Sequence, residues 1–295
     1  MVKNAEYLIY INGKFYPKSE AKISVYDHGL LYGDGVYEAI RAYKGVVFKL
    51  KEHIDRLFES AKSIKLDIGL SKKEMEEIVI ETLRKNDSKD AYIRIIVTRG
   101  VGPMGVDPRN CKKPTIIVIA EPREPIFKKE GIEAMVSSIR RTPIWALDPR
   151  IKSLNYLNNV LAKIEALSYG VEEAIMPNEH GYVAEASTEN IFIVKNNKII
   201  TPPVNAGILK GITRDTVIDI AKELGYEVVE RNITVHELFN ADEVFVTGTA
   251  AEIVPIIKIN GRIIGNGSPG PVTRKIMEKY REVCIDPKYG TPIYG

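Results

Sequence analysis

Apolar and polar residues follow one another along the chain in a pattern that predicts short strands joined by tight turns, interrupted by a few amphipathic helices. Residues 7–11 and 14–16 flank Asn12-Gly13, a pair that tolerates the positive φ values of a type I′ turn, so a β-hairpin is expected to open the fold. Residues 36–43 and 46–50 flank Lys44-Gly45 in the same way and lead into a helix over 51–66, where Ile54, Leu57, Phe58, Ala61 and Ile64 recur at helical spacing. Ser71 with Glu74 three positions later is a capping-box signature and predicts a further helix to about Lys85. Strands are expected at 91–98 and 115–120.

The segment "EPREPIFKK" (121–129) carries two prolines and several charges without periodicity, which suits an exposed connector. It divides a smaller domain (1–120) from a larger one (132–295), with 121–131 as the linker. The larger part is expected to hold a strand at 132–140, a helix at 154–169 ended by Gly170, and short strands at 174–176, 182–184, 191–194 and 198–200. A helix at 213–224 with Gly225 at its C-terminal cap then leads into a strand at 227–230. A strand at 243–246, an Asn260-Gly261 hairpin and a helix at 272–283 complete the pattern. Hairpins outnumber strand-helix-strand units, so the class is α+β with hairpin-rich sheets, not a doubly wound parallel sheet.

Composition narrows the partners. The 295 residues are 44% hydrophobic and 27% charged with a formal charge of +3, so no polyelectrolyte attraction to nucleic acid or to an anionic membrane is available. Cys111 and Cys284 are far apart, with no CxxC and no histidine cluster, which argues against a disulfide framework and a metal site. Residues 1–16 lack the signature of a signal peptide, and no apolar run approaches the ~20 residues of a membrane helix, so a cytoplasmic location is expected.

Four features could carry chemistry. In "RIKSLNYLNN", Lys152 and Tyr156 would share a face if the segment is helical: either a solvated lysine beside a half-buried tyrosine, or a Schiff-base lysine with a phenol nearby. In "LKGITRD", Gly211, Ile212 and Thr213 begin a helix whose free N–H groups could seat a phosphate or be merely capped. In "VTGTAAEI", the small residues from Thr247 to Ala251 let a ligand approach the backbone, or form a packed turn. Glu185 could be a functional acid, a surface residue or a partner of Arg94 or Arg41.

Taken in order, the blocks "DHGLLYGDGVYEAIRAY" (27–43), "HIDRL" (53–57), "AYIRI" (91–95), "KSLNYL" (152–157), "AEASTENIF" (184–192), "LKGITRD" (209–215) and "TGTAAEIVP" (247–255) resemble the class IV aminotransferases. These are the fold-type IV pyridoxal-phosphate enzymes, and "YIR" with "GVGPMGVDP" (100–108) is most similar to their prokaryotic branched-chain amino acid members. The resemblance implies a two-domain fold with a pseudo-barrel in its larger part, pyridoxal 5′-phosphate as cofactor, and amino transfer from L-leucine, L-isoleucine or L-valine to 2-oxoglutarate. It implies that Lys152 holds the cofactor covalently and carries the proton between Cα and C4′. Glu185 would bind the pyridine nitrogen, Tyr156 the phenolate oxygen, and Arg56, Gly211, Ile212, Thr213 and Thr249 the phosphate. For substrate it implies the Thr249 and Ala250 amides with the Tyr92 hydroxyl at the α-carboxylate and Arg94 at the side-chain carboxylate of glutamate. Tyr32 and Tyr37, with Trp145, would supply apolar walls, and Val106 a partner-subunit loop. A homodimer or an assembly of dimers follows from that last role.

Some positions depart from the commoner branched-chain pattern. Tyr37 and Ala39 stand in "VYEAIR" where phenylalanine and glycine are usual, and Ser187 and Thr188 replace small residues after Glu185. These bear on substrate preference. The rivals are a D-amino acid or (R)-amine transaminase and aminodeoxychorismate lyase, which share the fold, and a phosphate-ligand binder without chemistry.

Overall fold

The computed structural model describes residues 6–123, 126–127 and 129–294. It divides into two compact units, the first comprising Met1–Glu124, Ile151–Asn155 and Cys284–Gly295, the second Pro125–Arg150 and Tyr156–Val283. A single cut at 121–131 therefore does not describe the chain: Lys152 and the C-terminal segment belong to the first unit. Of the expected connector, residues 124, 125 and 128 lie outside the described residues.

The first unit is built on an all-antiparallel sheet. Strands β1 (Leu8–Ile11) and β2 (Lys14–Pro17) form the expected opening hairpin, and β3 (Gly35–Tyr43), β4 (Val46–Phe48), β5 (Ala91–Thr98) and β6 (Thr115–Glu121) follow. With a C-terminal strand at Gly290–Pro292, the spatial order is Gly290–Pro292, β4, β3, β5, β6, β1, β2. Helix α1 (His28–Tyr32), one turn capped by Asp27, precedes β3 and has no counterpart among the expected elements. Helices α2 (Leu50–Ser63) and α3 (Lys72–Lys85) cover one face of the sheet. The Ser71–Glu74 capping box starts α3 as expected. The N-cap of α2, Lys49, makes no side-chain cap bond, so α2 is held by burial of Leu50, Ile54, Leu57 and Ala61, each large residue worth roughly 1.5–3 kcal/mol.

Strand alternation separates core from site. Ile93, Ile95 and Val97 of β5 are fully buried against the helices, whereas Tyr92, Arg94 and Ile96 point to the opposite face and are half-buried. Register pairs Tyr37 with Ile96, Ala39 with Arg94 and Arg41 with Tyr92, so these six residues share that second face.

The segment around Lys152 is extended. It lies along the first half of β3: Ser153 bridges Val36, the Tyr37 N–H donates to the Lys152 carbonyl (2.9 Å) and the Leu154 N–H to the Gly35 carbonyl (3.0 Å). A Cβ on Gly35 would stand 2.7 Å from the Val97 carbonyl oxygen and 2.8 Å from Leu154 Cδ1, so only glycine admits the segment here. Helix α4 (Leu157–Ser168) begins later than expected, with Tyr156 as its N-cap. Lys152 and Tyr156 thus do not share a helical face, because pairing with β3 claims the backbone groups that a helix would use.

The second unit contains β7 (Ile132–Val136), β8 (Glu173–Pro177), β9 (Val183–Ala186), β10 (Asn190–Lys195), β11 (Lys198–Thr201), β12 (Glu227–Glu230), β13 (Glu243–Gly248), β14 (Glu252–Ile259) and β15 (Arg262–Ile263). The order is β12, β11, β10, β13, β14, β7, β8, β9, with β15 on β14. The end strand returns toward β10, where the Ala186 N–H donates to the Glu189 carbonyl (2.8 Å), so the sheet curls into a pseudo-barrel. Its lining includes Ile175, Val183, Ile191, Ile193, Val244 and Val254. On the other face of β10 and β13, Phe192 stacks on Phe245 (4.9 Å) and Asn190 faces Thr247; helix α5 (Ile212–Glu223) packs on β13. Short helix α6 (Val235–Phe239) and helix α7 (Pro271–Ile285) complete the set.

Candidate active site

In the first unit, Lys152 is directly opposite Tyr37 across an antiparallel bridge, so the two side chains share a face. Lys152 is buried and its Nζ lies 4.6 Å from the Tyr37 ring centroid. The Arg94 guanidinium lies 4.4 Å from the same centroid and donates to the Tyr92 hydroxyl at 2.8 Å. An amine and a guanidinium on one buried tyrosine make a surface suited to an anion.

Behind β3, Glu38 is fully buried and accepts from Arg56 Nε (2.7 Å), Arg56 Nη2 (2.9 Å) and His53 Nδ1 (2.7 Å). Burial alone would raise the Glu38 carboxyl, but the Arg56 charge, with the hydrogen bonds from His53 and Arg56, outweighs it and holds the carboxyl well below the usual carboxylate range. His53 is driven the other way: burial lowers its basicity and outweighs the pull of Glu38, with Arg56 and Lys152 adding to the fall. The imidazole is therefore neutral and its Nδ1–H donates to Glu38.

Tyr32 and Val106 occupy a different part of this unit. The Tyr32 hydroxyl accepts from the Gly105 N–H (2.6 Å), its ring meets His28 edge-on, and Val106 beside it is 80% exposed.

In the second unit, Glu185 is buried and accepts from Arg141 Nε (2.7 Å), Asn190 Nδ2 (3.1 Å) and the Leu209 N–H (3.1 Å). An arginine that grips it is Arg141, of the same unit. Asn159 on the inner face of α4 accepts from Arg141 and donates to the Ser187 carbonyl, which ties the acid to α4. Asn190 also donates to the Leu209 carbonyl, and a Cβ on Gly211 would stand 2.0 Å from Asn190 Oδ1. Gly211 is the N-cap of α5, and no side chain caps that helix, so the Ile212 and Thr213 amides begin it uncovered by a cap. Across from Asn190, the Thr247 hydroxyl is buried with no hydrogen-bond partner; Thr249 and Ala250 form the turn that follows. Trp145 is 76% exposed and donates to Glu179.

Sequence reasoning missed Glu38, His53, Arg141, Asn159 and Asn190. A usable signal existed for His53, which precedes Arg56 by one helical turn in "HIDRL". Arg141 offered none, since the loop that aims it has no periodicity.

The second unit also holds a pair of buried acids. Glu173 accepts from the Ser187 N–H (3.0 Å) and pairs with Lys163 (2.9 Å); Glu189 accepts from the Thr188 hydroxyl (2.5 Å), while its Oε2 is buried and unpartnered. Burial, then the Glu173 charge, push the Glu189 carboxyl from 4.5 up to about 8. The folded chain therefore holds a proton that the unfolded chain has released between pH 4.5 and 8, and stability falls as pH rises through that window. Glu189→Gln is expected to remove this fall, which can reach about 1.4 kcal/mol per pH unit. Urea unfolding should then show the variant more stable than wild type at pH 8 and little different near pH 4.5.

The model for amino-transferase class IV matches residues 35–259. A Methanocaldococcus jannaschii protein assigned as a branched-chain-amino-acid aminotransferase is 58% identical over 97% of this chain and 99% of its own length. The crystal structure of the branched-chain aminotransferase of Thermoproteus uzoniensis with norvaline superposes with a TM-score of 0.93 at 41% identity, covering 97% of this chain and 99% of that one. The T.th. branched-chain amino acid aminotransferase complexed with N-(5′-phosphopyridoxyl)-L-glutamate gives a TM-score of 0.92 at 40% identity, covering 97% and 98%. The chain belongs to the class IV aminotransferases.

The residues present fit pyridoxal phosphate. An uncapped helix start, a glycine too crowded for a Cβ and an orphaned threonine hydroxyl suit a phosphate; a buried carboxyl at Glu185 suits a ring N–H; a buried lysine suits the aldehyde.

Proposed function

We propose that this enzyme transfers the amino group of L-leucine, L-isoleucine or L-valine to 2-oxoglutarate, in two alternating half-reactions. The observation that carries the reading is the placement of Lys152 and Arg94 against one tyrosine: an amine that can shuttle a proton beside a guanidinium that can receive a carboxylate. The norvaline complex and the phosphopyridoxyl-glutamate complex of its relatives support an alkyl side chain and glutamate as alternative occupants.

Pyridoxal phosphate, when bound, supplies an electron-poor ring that takes up the electron pair left when Cα loses its proton. Lys152, buried against the Tyr37 ring, anchors the cofactor and moves that proton. Glu185, gripped by Arg141, would meet the pyridine nitrogen and keep it protonated. Tyr156 donates to the phenolate oxygen. Arg56, the Ile212 and Thr213 amides after Gly211, and Thr249 bind the phosphate. The Thr249 and Ala250 amides with the Tyr92 hydroxyl bind the α-carboxylate, and Arg94 the distal carboxylate of glutamate. When leucine occupies the site, Arg94 keeps its bond to Tyr92 and its stack on Tyr37, which limits the cost of a guanidinium facing an alkyl group. Tyr37 and Tyr32 supply apolar surface, and Val106 is offered to a second subunit.

The minimal active assembly is a homodimer. Val25, Tyr26, Leu30 and Leu31 with Val101, Met104 and Val106 give the first unit an exposed apolar surface, and α4 turns Leu157, Val160, Leu161, Ile164 and Leu167 outward. Sedimentation equilibrium should return at least twice the chain mass; a monomer would overturn this. Two cysteines that stand as thiols support a cytoplasmic location.

The test is a half-reaction screen of the cofactor-loaded enzyme. L-leucine should bleach the long-wavelength absorbance of the bound cofactor and 2-oxoglutarate should restore it. Bleaching by D-alanine or an (R)-amine in its place, or release of pyruvate from aminodeoxychorismate, would replace this reading with one of the rivals, and no bleaching by any donor would leave a binder without chemistry.

A further inference from the structure

We propose that Glu38 and His53 are positioning residues for the cofactor's phosphate, acting through Arg56. The inference rests on the reading of Arg56 as a phosphate ligand.

Glu38 lies on the core face of β3 between Val36 and Ile40, both fully buried. A carboxylate there is costly unless it is completely paired, and packing does not call for it, since α2 already covers this face with Leu50, Ile54, Leu57 and Ala61. An apolar residue would serve the core as well or better. What Glu38 does that an apolar residue cannot is grip Arg56 side-on through Nε and Nη2. The guanidinium is planar, so this grip fixes the direction of its Nη1 edge, away from Glu38. His53 bonds Oε2, the oxygen that Arg56 Nη2 also meets, and so holds the carboxylate against rotation.

The same helix serves Lys152. His53, Arg56 and Ser60 lie at i, i+3 and i+7 on α2 and so form one stripe. Ser60 Oγ accepts from the Lys152 N–H at 3.1 Å. One polar stripe therefore sets both the plane of Arg56 and the backbone that carries the reacting lysine.

Equilibrium binding of pyridoxal phosphate and of pyridoxal, which lacks the phosphate, to the full chain stripped of cofactor tests this. Glu38→Gln keeps the shape and removes the charge. It should weaken pyridoxal phosphate by about 10- to 100-fold, the worth of a hydrogen bond to a charged group, and leave pyridoxal within about twofold. His53→Gln should lower the same ratio less, and serves if Glu38→Gln does not fold. Arg56→Lys should lower it as well, and adding Glu38→Gln to Arg56→Lys should cost little more. If Arg56→Lys lowers the ratio and Glu38→Gln does not, or if Glu38→Gln weakens both ligands equally, the positioning role is wrong. If Arg56→Lys leaves the ratio unchanged, Arg56 is not the phosphate ligand and the reading beneath the inference fails.

Discussion

Replacing Lys152 by alanine should lower the rate of cofactor bleaching by L-leucine by at least about 10³-fold, because proton transfer by a positioned base and nucleophilic capture of the aldehyde are lost together. The fold should survive. The main-chain bonds that seat the segment, Lys152 N–H to Ser60 and Tyr37 N–H to the Lys152 carbonyl, do not involve the side chain. What disappears is the amine against the Tyr37 ring and its long aliphatic stem. Stopped-flow absorbance gives the rate and thermal unfolding the stability. A rate near wild type would remove Lys152 from the mechanism, whereas a large fall in unfolding temperature would mean that the side chain serves packing first.

Lys152 also marks how far sequence reasoning reaches and where it stops. The lysine stood out as a candidate in "KSLNYL", and elements fixed by local chemistry were legible: the Asn12-Gly13 turn, the Ser71–Glu74 box and strand β5, whose bounds are those expected. Its surroundings were not legible. Helical spacing put Tyr156 beside Lys152, yet the segment pairs with β3, whose partner residues are more than 110 positions away in the chain. Periodicity cannot register a bond of that range. The same limit hid the domain division, since residues 151–155 and 284–295 join the first unit through long-range pairing. It also hid Arg141 at Glu185, where charge alone suggested Arg94 or Arg41. Helix α6 is different: Thr234 and Glu237 form a capping box that was present in the sequence, but a helix of five residues is too short for an apolar period to stand out.

Glu185 tests whether a buried ion pair here serves chemistry or stability. Glu185→Gln is nearly isosteric, yet it leaves the Arg141 guanidinium buried against a neutral amide. Breaking such a pair from one side typically costs about 3–5 kcal/mol, so urea unfolding should shift markedly. Amino transfer should also slow, by on the order of 10²–10³-fold, since an amide cannot hold the pyridine nitrogen protonated as the electron pair arrives. Two effects in one variant would be ambiguous, and the double variant separates them. Adding Arg141→Gln removes the unpaired charge, while Asn190 and the Leu209 N–H still have an amide oxygen to donate to. Stability should therefore recover in large part, and the rate should not. If the rate returned with the stability, Glu185 would act only by holding the loop that Arg141 and Asn159 tie to α4, and the charge on the acid would play no part in the reaction.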